Sequence, residues 1–365
     1  MGPFIDSHLH FGCHRRLQEL ERYAGTLSLE KLCLLSLPNR RRINFNPELI
    51  SAKAALPQRC YILGSFDYSS LFFPALRAKT DLAAQVEVLR ELGFDGLKLW
   101  EGKPAFQQEL GLRLDDPPLR TALEKAARLG MPACVHVGDP PEFWKGGAAA
   151  SPRKSGLPPS ASRWPSWEAF IRQAESLAEA HPGLALIFPH LLFLAGDLRR
   201  LRRLLRRQPS VWVDLSPGNY FYAELSRRRE KAVAFFQEFQ DRILFGSDSL
   251  FFCRPDPVLD YAALSDNLKR FQRLLRFLGT TEELENPFAP SRGRYPSLRG
   301  LGLPGPILEK ICRENHLRLF GGRPADLNRC AAAAYLEQFI SILASGGGRP
   351  ADIRALAEQR DLGRG

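Results

Sequence analysis

The run Phe4-Ile5-Asp6-Ser7 ends in His8-Leu9-His10. In a strand, alternate side chains share a face, so these two imidazoles would point the same way, about 7 Å apart along the chain. Two imidazoles converging from one strand end can share a metal ion, and imidazole suits zinc, iron, nickel or copper. Taken alone, the pair could equally be two solvent-facing histidines. Four of the seven histidines, His8, His10, His136 and His190, fall at the ends of short apolar runs, whereas His14, His181 and His316 do not. Asp248 closes another run in Phe245-Gly246-Ser247-Asp248, and Lys98 and Glu101 border a further one. That concentration favours a metal site over scattered surface histidines.

The elements that must position these residues repeat one unit: an apolar strand, a polar loop and an amphipathic helix. The strands are expected at residues 4–10, 32–37, 60–66, 94–100, 132–137, 184–190, 211–216 and 242–248. Helices are expected at 15–24, 47–56, 81–92, 117–129, 167–180, 198–207, 224–240, 258–278 and 306–319. Pro47 suits a first helical position and Ser166 an N-cap. Eight strands alternating with helices predict a parallel sheet covered on both faces, and eight is the number that closes a barrel. The expected architecture is therefore α/β, a distorted (β/α)8 TIM-like barrel over residues 1–322. A C-terminal helical extension and tail, 323–365, carries one more helix at 324–344. In such a barrel the active site lies at the C-terminal strand ends, where the polar residues above fall. Leu97 and Leu99 should face the helices, which turns Lys98 and Trp100 inward, and a buried lysine needs a partner or a function.

Composition narrows the choice of partners. The formal net charge is +11, and the densest basic run, Leu198 to Arg207, spaces its leucines as one amphipathic helix with a basic outer face. It carries no aromatic interleaving and no nucleic-acid-binding motif, so a nucleic-acid partner is not expected. No apolar run is long enough to span a membrane, and no charged-then-apolar leader precedes the first strand, so a cytoplasmic enzyme is expected. The seven cysteines are scattered without a Cys-X-X-Cys pair. That predicts reduced thiols.

The ordered set His8-Leu9-His10, His136, His190 and Asp248 resembles the amidohydrolase superfamily. Within it the chain is similar to the amidohydrolase-related (family 2) branch, with its aminocarboxymuconate-semialdehyde decarboxylase-like proteins. Local matches are Gly96-Leu97-Lys98-Leu99, His181-Pro182, Asp241 to Asp248, and Glu314 to Gly321. The resemblance implies that His8, His10, His136 and Asp248 bind one divalent metal. Zinc is expected, with manganese, iron or nickel as alternatives and a second metal left open. It implies that Asp248 takes a proton from metal-activated water, and that His190 polarises a carbonyl or serves as a second acid/base. Lys98 would bridge a second metal if carboxylated, or otherwise balance charge; one metal is the expectation.

For substrate contact, Arg41, between Arg40 and Arg42 after strand two, could hold a carboxylate. Trp144, with Trp164 and Trp167, lies in or beside the long stretch 138–165, read here as a lid. Tyr220 and Phe221 could line the site, Asp214 could pair with a cation inside the barrel, and Asp6 could orient the ligands. The implied activity is hydrolysis of an amide, ester or lactone in a small, anionic molecule. The alternative is a non-oxidative decarboxylase or hydratase with the same metal site. A homodimer through the extra C-terminal helix is left open.

Overall fold

The structure is a computed structural model and describes residues 3–39, 42–72, 81–144, 164–217, 221–253, 262–286 and 297–346. The barrel strands are β1 (Phe4–Gly12), β2 (Leu29–Leu35), β3 (Cys60–Gly64), β4 (Gly96–Gly102), β5 (Ala133–Val137), β6 (Leu186–Phe188), β7 (Val211–Asp214), β8 (Ile243–Leu244) and β9 (Ser249–Phe252). The first seven are the expected strands, while the eighth is split in two. The sheet order is β8-β7-β6-β5-β4-β3-β2-β1-β9, and every pair in it is parallel.

The split eighth strand closes the barrel. Its first half pairs with β7, with Ile243 opposite Val213 and Leu244 opposite Asp214. Its second half pairs with β1, from Leu9 opposite Ser249 to Gly12 opposite Phe252. The connection crosses β1 through Ser7 N donating to Phe245 O and Asp248 N donating to His8 O, both at 2.9 Å. Gly246 is required there, because a Cβ would sit 2.6 Å from the His8 Cβ.

The longer helices among the described residues are α1 (Leu17–Thr26), α2 (Asn46–Ala55), α3 (Leu82–Leu92), α4 (Pro117–Arg128), α5 (Trp167–Ala180), α6 (Leu198–Arg207), α7 (Arg229–Glu238), α8 (Leu264–Gly279) and α9 (Arg329–Ser345). Their starts obey local chemistry: Asp81, Ser166, Asp197 and Asn328 each accept a backbone N–H from three residues on. The expected helix 224–240 is broken at Arg228, with Phe221–Arg227 as a separate short helix before α7. On α6 the leucines 198, 201, 204 and 205 are buried. Its Arg200 pairs with Glu168 and Glu175, and Arg202 and Arg206 with Glu238, so much of the basic run is met by acids of the same chain.

Two cores result. The larger lies between sheet and helices. The smaller fills the barrel itself with Cys33, Leu35, Tyr61, Leu63, Cys134, Ile187, Trp212 and Leu244, and Leu319 and Phe320 pack against it. The helix Asn315–Phe320 stops the N-terminal end, where Tyr61 Oη donates to Gly321 O at 2.6 Å. The C-terminal end is left for chemistry. There a small ribbon, Pro38–Asn39 with Ile43–Asn44, follows β2, and Ile43 packs on Phe339 and Leu343 of α9.

One expectation is corrected. Cys13 and Cys253 are joined as a disulfide with Cα atoms 5.3 Å apart, so not all thiols are reduced. The pair directly follows Gly12 and Phe252, which face each other across β1 and β9. Spacing along the chain could not reveal it, because the partners meet only when the barrel closes. Among the described residues no helix is long and apolar enough to cross a membrane.

Candidate metal centre

At the C-terminal mouth, His8 and His10 come together as expected, with their Nε2 atoms 3.2 Å apart. Asp248 joins them, one carboxylate oxygen lying 3.8 Å from His8 Nε2 and 3.5 Å from His10 Nε2. The far nitrogen of each ring is held. His8 Nδ1 lies 2.7 Å from Asp214 Oδ2, and His10 Nδ1 lies 3.1 Å from the Leu35 carbonyl. A carboxylate and a carbonyl can only accept, so both Nδ1 atoms carry the proton in the neutral rings. Both Nε2 atoms are then bare lone pairs facing each other and a carboxylate. Such a set repels itself unless a cation sits among the three, and all their ligand atoms lie within 4.8 Å of one another. The residues therefore fit a divalent metal.

The local folding that aims these groups is specific. A bulge in β1 between Asp6 and Leu9 inserts one extra residue against β2, re-aiming the chain at His8. Asp6 consequently bonds Tyr23 on α1 at 2.8 Å while accepting from Ser247 N at 3.0 Å and His8 N at 3.3 Å. It ties the His-X-His strand to the Phe-Gly-Ser-Asp connection. Burial pushes its carboxyl up to about 6, against these hydrogen bonds. Asp248 itself takes a left-handed backbone, φ 57°. Burial acts to raise its pKa, but His8, His190, His10 and Arg270 outweigh that, and the carboxyl is held below its usual range. Asp214 follows the same pattern: burial opposes ionisation, the His8 imidazole beside it prevails, and the group stays ionised. His10 is pushed down to about 3 by burial and by His8.

His136 and His190 lie beside this group and are not part of it. Their rings are 5.3 Å apart, and His190 is 5.8 Å from His8. His136 Nε2 donates to Gly138 O at 2.9 Å, leaving Nδ1 free. His190 Nδ1 donates to Ser216 O at 2.7 Å, leaving Nε2 free, while its backbone N–H donates to Asp214 at 3.2 Å. Burial lowers both pKa values, so both rings are neutral bases. His190 begins a left-handed turn: His190, Leu191, Leu192 and Phe193 all have φ between 50° and 59° without a glycine among them. Each such residue costs about 1–2 kcal/mol, so packing must hold this turn.

Lys98 is buried inside the barrel as expected, with Nζ 3.5 Å from Cys134 Sγ. Cys134 with His8 and Asp214 forms a second possible ligand group. Glu101 lies at a bulge between β4 and β5, where Leu99 pairs with Val135 but Gly102 with Val137. Its carboxylate accepts from Tyr68 Oη at 2.7 Å and is absent from both ligand groups. Trp144 rests on Trp164 and Phe170 with its indole N–H on Pro165 O at 2.9 Å. Arg41, Arg40, Tyr220 and residues 145–163 of the expected lid lie outside the described residues. Arg42 is buried and paired with Glu48, and Phe221 is buried against Tyr222 and Phe277.

The sequence reading left Asp214 as a partner for some interior cation. Its place at the end of β7 matches the other site residues, and that was the available signal for its bond to His8. Ser216, Ser247 and Cys134 carry no such signal.

Fold and site together define an enzyme of the (β/α)8 class. The chain belongs to the amidohydrolase family, whose model matches residues 68–322. The match takes in Lys98, His136, His190, Asp214 and Asp248; His8 and His10 precede it. No curated protein matches the chain. Among solved structures it is similar to an uncharacterised TIM-barrel protein from Bordetella bronchiseptica, at 14% identity and TM-score 0.54, over 88% of this chain and 99% of that one. A probable 2-pyrone-4,6-dicarboxylic acid hydrolase from Acinetobacter baumannii is similar at 14% identity and TM-score 0.50, over 88% and 100%. A 2,6-dihydroxybenzoate decarboxylase from Rhizobium is similar at 15% identity and TM-score 0.50, over 88% and 99%. At such identities the likeness speaks for the fold.

Proposed function

We propose that this protein is a metal-dependent hydrolase acting on an amide, ester or lactone of a small anionic molecule. The observation that carries the reading is the set of bare electron pairs at the barrel mouth: His8 Nε2, His10 Nε2 and the Asp248 carboxylate within 4.8 Å of one another. A divalent ion there would polarise a carbonyl and make water acidic enough to ionise near neutral pH. Zinc suits this nitrogen-rich set, and His136, with Nδ1 free, is the further ligand of the proposal.

The chain's own residues supply the rest. Asp214 fixes the His8 tautomer and raises the basicity of its Nε2. The Asp248 side chain is 23% exposed, so an ionised carboxylate reaches the mouth and can take a proton from water. His190, neutral and with Nε2 free, is a second base; once protonated it can donate from Nε2 to a leaving group or a developing oxyanion. The buried Lys98 ammonium balances the carboxylates of a one-metal site. Arg41 and Trp144 remain proposed contacts to an anionic substrate.

A second reading, non-oxidative decarboxylation, is favoured by aromatic rings set against the site. Phe252 stacks on His10 at 6.3 Å and Trp100 meets His136 edge-on at 6.4 Å, walls suited to a planar acid. The structural likeness to 2,6-dihydroxybenzoate decarboxylase points the same way.

Metal content of the purified protein, beside His8→Ala and Asp248→Ala, tests the shared premise. A pH-stat screen of carboxylated lactones, esters and amides, run against carbon dioxide release from hydroxylated aromatic acids, separates the two reactions. Acid release that is lost on chelation and restored by zinc supports the hydrolase. Carbon dioxide release without hydrolysis replaces it with the lyase, and failure to bind any divalent metal sinks both.

A further inference from the structure

Phe193 is 5% exposed, yet its ring belongs to none of the apolar clusters formed by the described residues. Leu191 and Leu192, its neighbours in the left-handed turn, both join the outer core. The ring of Phe193 instead lies on two histidines. It stacks on His190 with centroids 4.9 Å apart and planes 25° apart, and meets His136 at 5.8 Å and 68°. With the 5.3 Å contact between His136 and His190, the three rings form a closed triangle.

By hydrogen bonds each histidine is held at one nitrogen, His190 Nδ1 by the carbonyl and hydroxyl of Ser216 and His136 Nε2 by the Gly138 carbonyl. Contacts at one ring edge leave the tilt of the imidazole plane, set by rotation about its side-chain bonds, to be fixed by packing on the ring faces. Residues three apart share a face of a helical turn, so the turn beginning at His190 delivers the ring of residue 193 onto the His190 face. This gives a reason for a strained turn built from non-glycine residues.

We propose that Phe193 is a positioning residue whose ring sets the planes of His190 and His136, aiming His190 Nε2 and His136 Nδ1 at the reaction centre. The kinetic consequence rests on the proposed function; the orientation itself does not.

The test uses protein labelled with carbon-13 at histidine Cε1, metal-free, with signals assigned through His190→Gln and His136→Gln. In the wild type the His190 Cε1–H resonance is expected upfield of its urea-unfolded position, because the His190 ring stacks on that of Phe193. Phe193→Leu keeps the bulk and loses the flat ring; it should return the His190 signal downfield and shift that of His136. Phe193→Tyr should keep both. On the metal-loaded enzyme, Phe193→Leu should lower kcat by roughly 10–100-fold with KM little changed, and Phe193→Tyr should restore most of it. An unshifted His190 signal in the wild type overturns the proposal even if no variant folds. So does a Phe193→Leu enzyme with both signals in place or with wild-type kcat. If no substrate is ever turned over, the functional reading falls while the spectra still decide this one.

Discussion

Replacing Glu101 by glutamine should make the protein markedly more stable at alkaline pH and hardly change it in acid. Glu101 is 1% exposed, its Oε1 accepts from Tyr68, and its Oε2 has no partner among the described residues. Burial pushes its carboxyl from 4.5 up to about 7, against the opposing pull of Tyr68 and Lys98. The unfolded chain gives up this proton near the ordinary value, whereas the folded chain keeps it. Stability from the neutral form is therefore fully present below pH 4.5 and is lost as pH rises through about 7. At about 1.4 kcal/mol per pKa unit, the whole loss is about 3 kcal/mol, of which 2–3 kcal/mol falls between pH 5 and pH 8. Glutamine keeps the acceptor for Tyr68 and cannot ionise. The assay is urea unfolding of metal-free wild type and Glu101→Gln at several pH values across that range. Asp6, also raised by burial, is present in both proteins, so its contribution cancels in the difference. Parallel pH profiles for the two proteins would refute the reasoning. Tyr68→Phe, which removes a hydrogen bond favouring the ionised form, should steepen the wild-type decline.

Other consequences are as direct. Asp214→Asn lets an amide face His8 Nδ1 and frees the ring to turn its proton onto Nε2; metal affinity, read by competition with a chromophoric chelator, should fall about 10–100-fold. Peptide mapping without reductant should recover Cys13 joined to Cys253, and Cys253→Ser should cost about 2–5 kcal/mol in denaturant unfolding for so long a loop. On α6, Leu201→Ala should cost about 2–5 kcal/mol, whereas Arg203→Ala on the exposed face should stay within about 0.5 kcal/mol.

The barrel was legible because its code is local. Apolar runs such as Leu32 to Leu37, caps such as Ser166 and the leucine spacing of α6 each announce an element without knowledge of its neighbours. His8, His10 and Asp248 were legible for a related reason, since a polar residue at the end of an interior strand lies where this architecture places chemistry. What stayed hidden depends on closure. The Cys13–Cys253 bond, the Asp214–His8 contact and the pairing of the eighth strand's second half with β1 each join residues more than 200 positions apart. The bulges at Ser7–His8 and near Glu101 also escape a period-two reading, because one inserted residue reverses every later side chain. The left-handed turn at His190–Phe193 is hidden differently: its residues carry none of the glycine or asparagine that normally marks such a backbone.

The split eighth strand also sets a timetable. β1 carries two of the proposed ligands, but the segment that pairs with its outer edge is made much later, for Cys13 and Cys253 are 240 residues apart. At about 5–20 residues per second, a ribosome takes roughly 10–50 s to cover that distance. During that interval one edge of β1 lacks its strand, and His8 has neither the Asp214 carboxylate nor Asp248. The metal centre is thus a property of the finished chain. Nascent chains arrested before Asp248 should capture no metal, and β1, already beside β2, waits for β9 to cover its other edge.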